Sequence, residues 1–278
     1  MDDLSTTGTR PLTARQPGQA TTIVQVGSVA FGGPRVVLIG GPCAVEGREQ
    51  VTGAARAVRE AGGVMLRGGA WKPRTSPYDF QGLGLEGLAL LVDAREETGL
   101  PFVTEVLDPR DVEMVAEKAD MLQIGSRSVQ NFPLLREVGR SGRPVLLKRG
   151  MMTTVAEWLH AAEHVLAAGG RQIVFCERGI RTFEPSLRST LDVGSVAVMR
   201  ELTHFPVIVD PSHAAGAARF VAALARAAVA AGADGLLVET HPNPAGALSD
   251  AVQSLNPSQF AELAVSCRAV ARAVGRDV

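Results

Sequence analysis

The chain has 278 residues, is 46% hydrophobic, and carries 28 basic against 29 acidic residues for a net charge of −1. That near-neutrality excludes a global electrostatic case for nucleic-acid or membrane binding, so an anionic ligand must meet cations gathered locally. Three scattered cysteines (Cys43, Cys176, Cys267) exclude a disulfide framework. With a polar start and no run approaching the ~20 apolar residues of a membrane helix, they describe a soluble, cytoplasmic protein.

In chain order, residues 1–33 stand apart as an N-terminal extension, with 34–278 as the catalytic unit. Met1–Gln19 reads as disordered. Thr22–Gln25 and Ser28–Phe31, split by a glycine, predict a β-hairpin that plugs the N-terminal end of the fold. Eight β-rich runs follow: Val36–Gly40, Val64–Arg67, Phe102–Glu105, Met121–Gly125, Val145–Lys148, Ile173–Cys176, Val207–Val209 and Leu236–Val238. Most are nearly all apolar, as parallel strands covered on both faces must be. Between them, Val51–Ala61, Thr153–Ala168 and Arg219–Ala231 repeat apolar residues at helical steps. Asp108 and Thr153 serve as N-caps, and Gly62, Gly99, Gly169 and Gly232 as stops. A last helix covers Pro257–Val274. Eight even alternations predict an α/β fold, a closed (β/α)8 TIM barrel, which at about 250 residues is one ordinary domain. A doubly wound open sheet is the alternative.

The ends of these runs carry the functional signal, because in a barrel the loops after the strands are free of scaffold packing. They bear, in order, Cys43, Arg67, Glu105, Arg127, Lys148-Arg149, Glu177-Arg178, His213, and Glu239 with His241. Any one of these has an innocent reading as a strand terminus; their convergence does not.

Two chemical subsets separate. Cys43, His213 and Glu239, with Asp250 as a further candidate, supply thiolate, imidazole and carboxylate, a mixed set suited to Zn²⁺, Mn²⁺, Fe²⁺ or Co²⁺ rather than Mg²⁺ or Ca²⁺. Taken alone, Cys43 reads more simply as a buried structural thiol, and His241 as an extra ligand or a supporting residue. The second subset, Arg67, Lys72, Arg74, Arg127, Lys148 and Arg178, forms a cationic rim suited to phosphates and carboxylates; pairing with Glu105, Glu177 and Asp210 is the structural alternative. Two long loops, Gly68–Gly84 and Gly179–Leu191 (the latter adding Arg181 and Arg188), have the length of a lid or a second phosphate clamp. Cys176 and Cys267 read as core, and His160, His164 and His204 as surface or helix residues.

The segments GPCAVEG, LRGGAWKPRTSPYDFQGLG, QIGSRSVQNF, PVLLKRG, CERGIRTFE, VDPSH and VETHP…LSD…QSL lie in one order. Together they resemble 3-deoxy-D-arabino-heptulosonate 7-phosphate (DAHP) synthase, most closely its type Iβ subgroup, from Val36 to the C-terminus. The resemblance implies a transferase that condenses phosphoenolpyruvate with erythrose 4-phosphate, the first step of the shikimate pathway. It implies one divalent metal ion on Cys43, His213, Glu239 and Asp250. Arg67, Lys72, Arg127, Lys148 and Arg178 would bind phosphoenolpyruvate, with Ser126 beside them. Lys72, Pro73, Arg74, Thr75 and Ser76 would meet the aldose phosphate. Strand alternation agrees with Lys148 over Arg149, since it puts Leu146 and Lys148 on one face. Lys72 and Glu105 are the candidates for proton handling, beside Cys43 and His213 at the metal.

The chain departs from the family's common GARNAQN in reading GSRSVQN, so Ser126 and Ser128 replace Ala and Asn. No ferredoxin-like regulatory domain and no fused chorismate mutase are seen, so feedback inhibition through an appended domain is not expected. A homodimer or homotetramer is implied, with a separate chorismate mutase as a possible partner. The nearest rival is the same chemistry on arabinose 5-phosphate, although KPRTSPY favours erythrose 4-phosphate. The rival of a different class is a non-catalytic regulatory barrel.

Overall fold

The computed structural model describes residues 9–277. Two short strands, β1 (Val24–Val26) and β2 (Val29–Phe31), precede the eight strands of a closed barrel: β3 (Val37–Gly41), β4 (Met65–Arg67), β5 (Phe102–Glu105), β6 (Met121–Ile124), β7 (Val145–Lys148), β8 (Ile173–Glu177), β9 (Val207–Val209) and β10 (Gly235–Glu239). Each barrel strand begins and ends within one residue of its expected bounds. Nine α-helices stand among the described residues: α1 (Arg48–Glu60), α2 (Leu85–Thr98), α3 (Val112–Lys118), α4 (Phe132–Arg140), α5 (Val155–Ala167), α6 (Val193–Leu202), α7 (Pro211–Ala215), α8 (Ala218–Ala230) and α9 (Pro257–Ala273).

Every residue of the eight barrel strands is buried, which is why the runs lack polar alternation. Neighbours pair in parallel, and β10 pairs with β3 from Gly235↔Val37 to Glu239↔Gly41, closing the ring and excluding the open sheet. Helices cover the outside. On α5, Trp158 meets Phe175 of β8 edge-on at 5.0 Å, and its indole N–H donates to the Leu147 carbonyl at 3.2 Å, so the large ring is buried without an orphaned donor. The α5 N-cap is Thr154 rather than the expected Thr153. Only Thr154 has a glutamate three residues on, and the reciprocal bonds with Glu157 form a capping box.

The hairpin forms as expected, turning on Gly27 (φ 56°). Gln172, just before β8, accepts from the Gln25 N–H at 3.1 Å, and the Thr22 N–H donates to the His204 carbonyl at 2.6 Å just before β9. Val24, Val26 and Phe31 are fully covered. The hairpin therefore seals the N-terminal mouth of the barrel and leaves the opposite end to the functional loops.

The disorder expected over Met1–Gln19 lies outside the described residues for 1–8 and is corrected beyond them. The Thr13 N–H and hydroxyl both donate to Glu163 at 2.7 Å, and the Arg15 N–H donates to the Leu202 carbonyl at 3.0 Å. His204, expected as a surface or helix residue, is half-buried outside any helix and bonds Thr22 and Leu12 of this same segment. Polar composition misled here because the segment docks through hydrogen bonds rather than through an apolar face.

Candidate functional site

The C-terminal ends of the strands converge on one cleft. It is lined by Arg67, Lys72, Pro73, Arg74, Thr75, Asp79, Glu105, Gln123, Gly125, Ser126, Arg127, Lys148, Met151, Arg178, Arg188, His213 and Asp250. Cys43 and Glu239 lie just beneath. Of the residues that the resemblance assigns to substrate binding, Ser76 is the one that does not line this cleft: its hydroxyl accepts from the Tyr78 N–H at 3.3 Å within its own loop.

The floor holds four donor atoms from two loops, the short helix α7 and the end of β10. One ligand atom each from Cys43, His213, Glu239 and Asp250 lies within 4.8 Å of the others. Ligands about 2.0–2.3 Å from a tetrahedral ion stand roughly 3–4 Å apart, so the cluster has the size of a metal cage. The Cys43 thiol donates to Asp250 Oδ2 at 2.9 Å, and His213 Nε2 is 3.3 Å from Glu239 Oε1. The His213 Nδ1–H donates to Asp210 at 2.6 Å, a carboxylate partner that fixes the tautomer and leaves Nε2 as the free donor atom. Burial holds the His213 pKa below its ordinary value, against the pull of Asp210 and Glu239, which favours the neutral, ligating form. Burial likewise pushes the Cys43 thiol up to about 11, with Glu239 adding to the effect. Sulfur, nitrogen and two carboxylates fit a borderline divalent ion.

Above the floor, seven basic side chains (Arg67, Lys72, Arg74, Arg127, Lys148, Arg178, Arg188) face three acidic ones (Asp79, Glu105, Asp250). Some cations are already paired. Arg67 donates to Glu239 at 3.0 Å, Lys148 pairs with Asp210, and Arg188 donates to Asp250 at 2.9 Å. Arg178 is not. It is buried and donates only to neutral oxygens, those of Gly179, Ser189 and His213, and burial lowers its pKa from the usual arginine value. Arg127 has no ion-pair partner among the described residues. An arginine stays charged through such shifts, and neither guanidinium is engaged in a direct ion pair, so both are open to an anion, although Asp210 and Glu177 lie near enough to act on Arg178.

Lys72 connects the two subsets, its ammonium donating to Cys43 Sγ at 2.9 Å. Burial alone would lower its pKa, but Cys43, Glu105 and Glu239 outweigh burial and hold the ammonium above its ordinary value. Glu105 accepts from the Gln123 side chain at 3.1 Å. Gly125 makes room for it, since a Cβ there would lie 1.9 Å from Glu105 Oε1. Arg149 turns the other way, outside the barrel, onto Glu177, Asp192 and the Thr153 carbonyl. His241 is turned off the metal cluster and meets Glu46.

Sequence reasoning passed over Gln123, Asp79 and Gln253. Gln253 donates to Glu239 at 2.6 Å and accepts from Arg188 at 2.8 Å. Gln123 had a signal, a lone amide within an apolar strand. Gln253, in the loop after β10, had only its place in the quoted QSL segment, with no chemical feature of its own.

A model of the DAHP synthetase I family matches residues 19–274. A "Phospho-2-dehydro-3-deoxyheptonate aldolase" of Thermotoga maritima is 47% identical over 96% of this chain and 79% of its own length. A "2-dehydro-3-deoxyphosphooctonate aldolase" of Syntrophotalea carbinolica is 38% identical over 84% of this chain and 90% of its own. Among solved structures, a truncated 3-deoxy-D-arabino-heptulosonate 7-phosphate synthase from Thermotoga maritima superposes with a TM-score of 0.89 at 43% identity, covering 96% of this chain and 98% of that one.

Proposed function

The chain belongs to the DAHP synthetase I family, and from that premise we propose that it condenses phosphoenolpyruvate with erythrose 4-phosphate to DAHP and inorganic phosphate. The observation that carries the reading is the adjacency, within one cleft, of four side chains clustered closely enough to hold a metal ion and two guanidiniums outside any ion pair. Two phosphorylated substrates, one of them an aldehyde, match that division.

A divalent ion on Cys43, His213, Glu239 and Asp250 would supply Lewis-acid polarisation of the aldehyde oxygen. The chain's own residues do the rest. Arg127, Lys148 and Arg178 hold the phosphate of phosphoenolpyruvate, with Arg67 and Lys72 at its carboxylate end. Arg74 and Thr75, on the loop after β4, receive the aldose phosphate. Held side by side, C3 of phosphoenolpyruvate bonds to the aldehyde carbon. Water then adds to C2, and phosphate leaves as its C–O bond breaks. Glu105 and Lys72 face the reacting atoms and move the protons, Glu105 accepting from the attacking water and Lys72 donating to the new hydroxyl. Arg178 and Arg127 stabilise the negative charge that shifts during these steps.

The test is phosphate release from phosphoenolpyruvate with each aldose in turn. Turnover with erythrose 4-phosphate at a kcat/KM at least tenfold above that with arabinose 5-phosphate is expected. The reverse preference would assign the eight-carbon product, and no release with either would revive a non-catalytic barrel.

A further inference from the structure

Two of the four metal donors sit on loops that do not belong to one rigid element. Cys43 follows β3, and Asp250 lies at the end of an excursion that leaves β10 at His241. Asp250 has φ 52°, the single positive-φ residue other than glycine among the described residues. A strained backbone at that position persists only where its surroundings over-determine it.

Cys43 and Arg188 hold the Asp250 carboxylate directly, and Glu46 adds a constraint on the loop that carries it. The Glu46 side chain is nearly buried, and both carboxylate oxygens reach across to the β10 loop. Oε2 accepts from His241 Nε2 at 3.2 Å, at the base of the excursion, and Oε1 accepts from the Leu248 N–H at 2.8 Å, two residues before Asp250. The histidine can play only one part. Its Nδ1 accepts from the Asn243 N–H at 3.0 Å, so the proton is on Nε2 and points at Glu46. Glu46 is itself held to the Cys43 loop: its N–H donates to Gln50 Oε1 at 3.2 Å, and the Gln50 amide donates to the Ala44 carbonyl at 2.9 Å. One carboxylate therefore staples both ends of the Asp250 loop to the Cys43 loop. Neither Glu46 nor His241 lines the cleft or joins the donor cluster.

We propose that Glu46 and His241 are positioning residues that fix the spacing of Cys43 and Asp250, and so set the affinity of the metal site without touching substrate. This rests on the reading of Cys43, His213, Glu239 and Asp250 as metal ligands. Residues that orient ligands in this way change metal affinity about 10- to 100-fold when removed.

The experiment is competition for Zn²⁺ between the full chain and a chromogenic chelator, with no turnover involved, on the wild type, Cys43→Ser, Glu46→Ala and Glu46→Gln. The wild type binds one Zn²⁺ and Cys43→Ser loses it. Glu46→Ala weakens binding about 10- to 100-fold. Glu46→Gln lies between, because its amide oxygen still receives the Leu248 N–H while its NH₂ opposes the His241 N–H. At saturating metal, KM for phosphoenolpyruvate stays within about threefold of wild type in both Glu46 variants, since no anion-binding residue has moved. Should Glu46→Ala not fold, judged by circular dichroism, Glu46→Gln alone decides. Unchanged Zn²⁺ affinity in folded variants overturns the staple and leaves the metal site standing. A parallel rise in KM overturns it too, as general loosening of the cleft. A wild type that binds no Zn²⁺ overturns both readings.

Discussion

The two kinds of residue in the cleft differ in what their loss removes. Under the proposed function Cys43 and His213 supply metal ligands, so Cys43→Ala or His213→Ala should cut metal-dependent turnover about 100-fold or more, even with added Mn²⁺. Full activity in both would end the metal role. Arg178 is a buried cation that meets only neutral oxygens. A hydrogen bond to a charged group contributes about 1.5–3 kcal/mol, so Arg178→Ala should raise KM for phosphoenolpyruvate roughly 10- to 100-fold and leave KM for the aldose nearly unchanged. Equal increases for both substrates would contradict the assignment. The thiols give a third check. Burial pushes Cys267 up to about 11 and raises Cys176 further, so their thiolate fraction at pH 8 is on the order of one in a thousand or less. The sign is that of an acid kept neutral: reactivity stays low across pH 6–9 and rises only as pH approaches the raised value. A native thiol titration should therefore find at most Cys43, and all three thiols only after unfolding. Residue identities at the strand ends were legible in the sequence because they are chemically unusual. Gln253 and Glu46 stand within the quoted QSL and GPCAVEG segments, but their roles were not legible, because a glutamine or glutamate in a loop is common and only the closed barrel shows what it meets.

At the scale of elements, each strand end delivers a side chain to a fixed point, and small residues keep the points clear. Gly125 directly follows β6, at a point where a Cβ would collide with Glu105. Gly125→Ala should swing Glu105 away from Gln123, and a misplacement of about 1 Å costs up to about 100-fold in rate. Melting should change little, because the displaced group is the far end of a flexible side chain. A large fall in melting temperature with unchanged specific activity would show that Gly125 serves packing instead. The strands were predictable to within one residue because burial on both faces demands continuous apolar runs. Helix caps were less so. Thr153 and Thr154 are adjacent and chemically identical, and the choice rests on Glu157, three residues beyond Thr154. Replacing Thr154 by Ala should therefore cost about 1 kcal/mol, and Thr153→Ala less; the reverse order in urea melts would contradict the capping box.

For the whole molecule, the barrel is asymmetric: one mouth is sealed by the β1–β2 hairpin and the other gathers charge. Phe31 is fully buried beneath the seal, so Phe31→Ala should destabilise by about 3–5 kcal/mol while leaving KM for both substrates unchanged at temperatures where the variant stays folded. The division of labour between the two ends was readable from the eight alternations. The docking of residues 11–19 was not, since hydrogen bonds to Glu163 and Leu202 leave no periodic trace. No helix among the described residues is long and apolar enough to cross a membrane. Under the proposed function the Cys43–His213–Glu239–Asp250 cluster below and the cationic rim above act on one pair of substrates. The most direct measurement of it is phosphate release from phosphoenolpyruvate and erythrose 4-phosphate after exhaustive chelation, followed by readdition of Mn²⁺, Fe²⁺, Zn²⁺ and Co²⁺ one at a time. Turnover should vanish on chelation and return with at least one of these ions in the wild type, but not in Cys43→Ala. Undiminished turnover in the chelated protein would contradict the account.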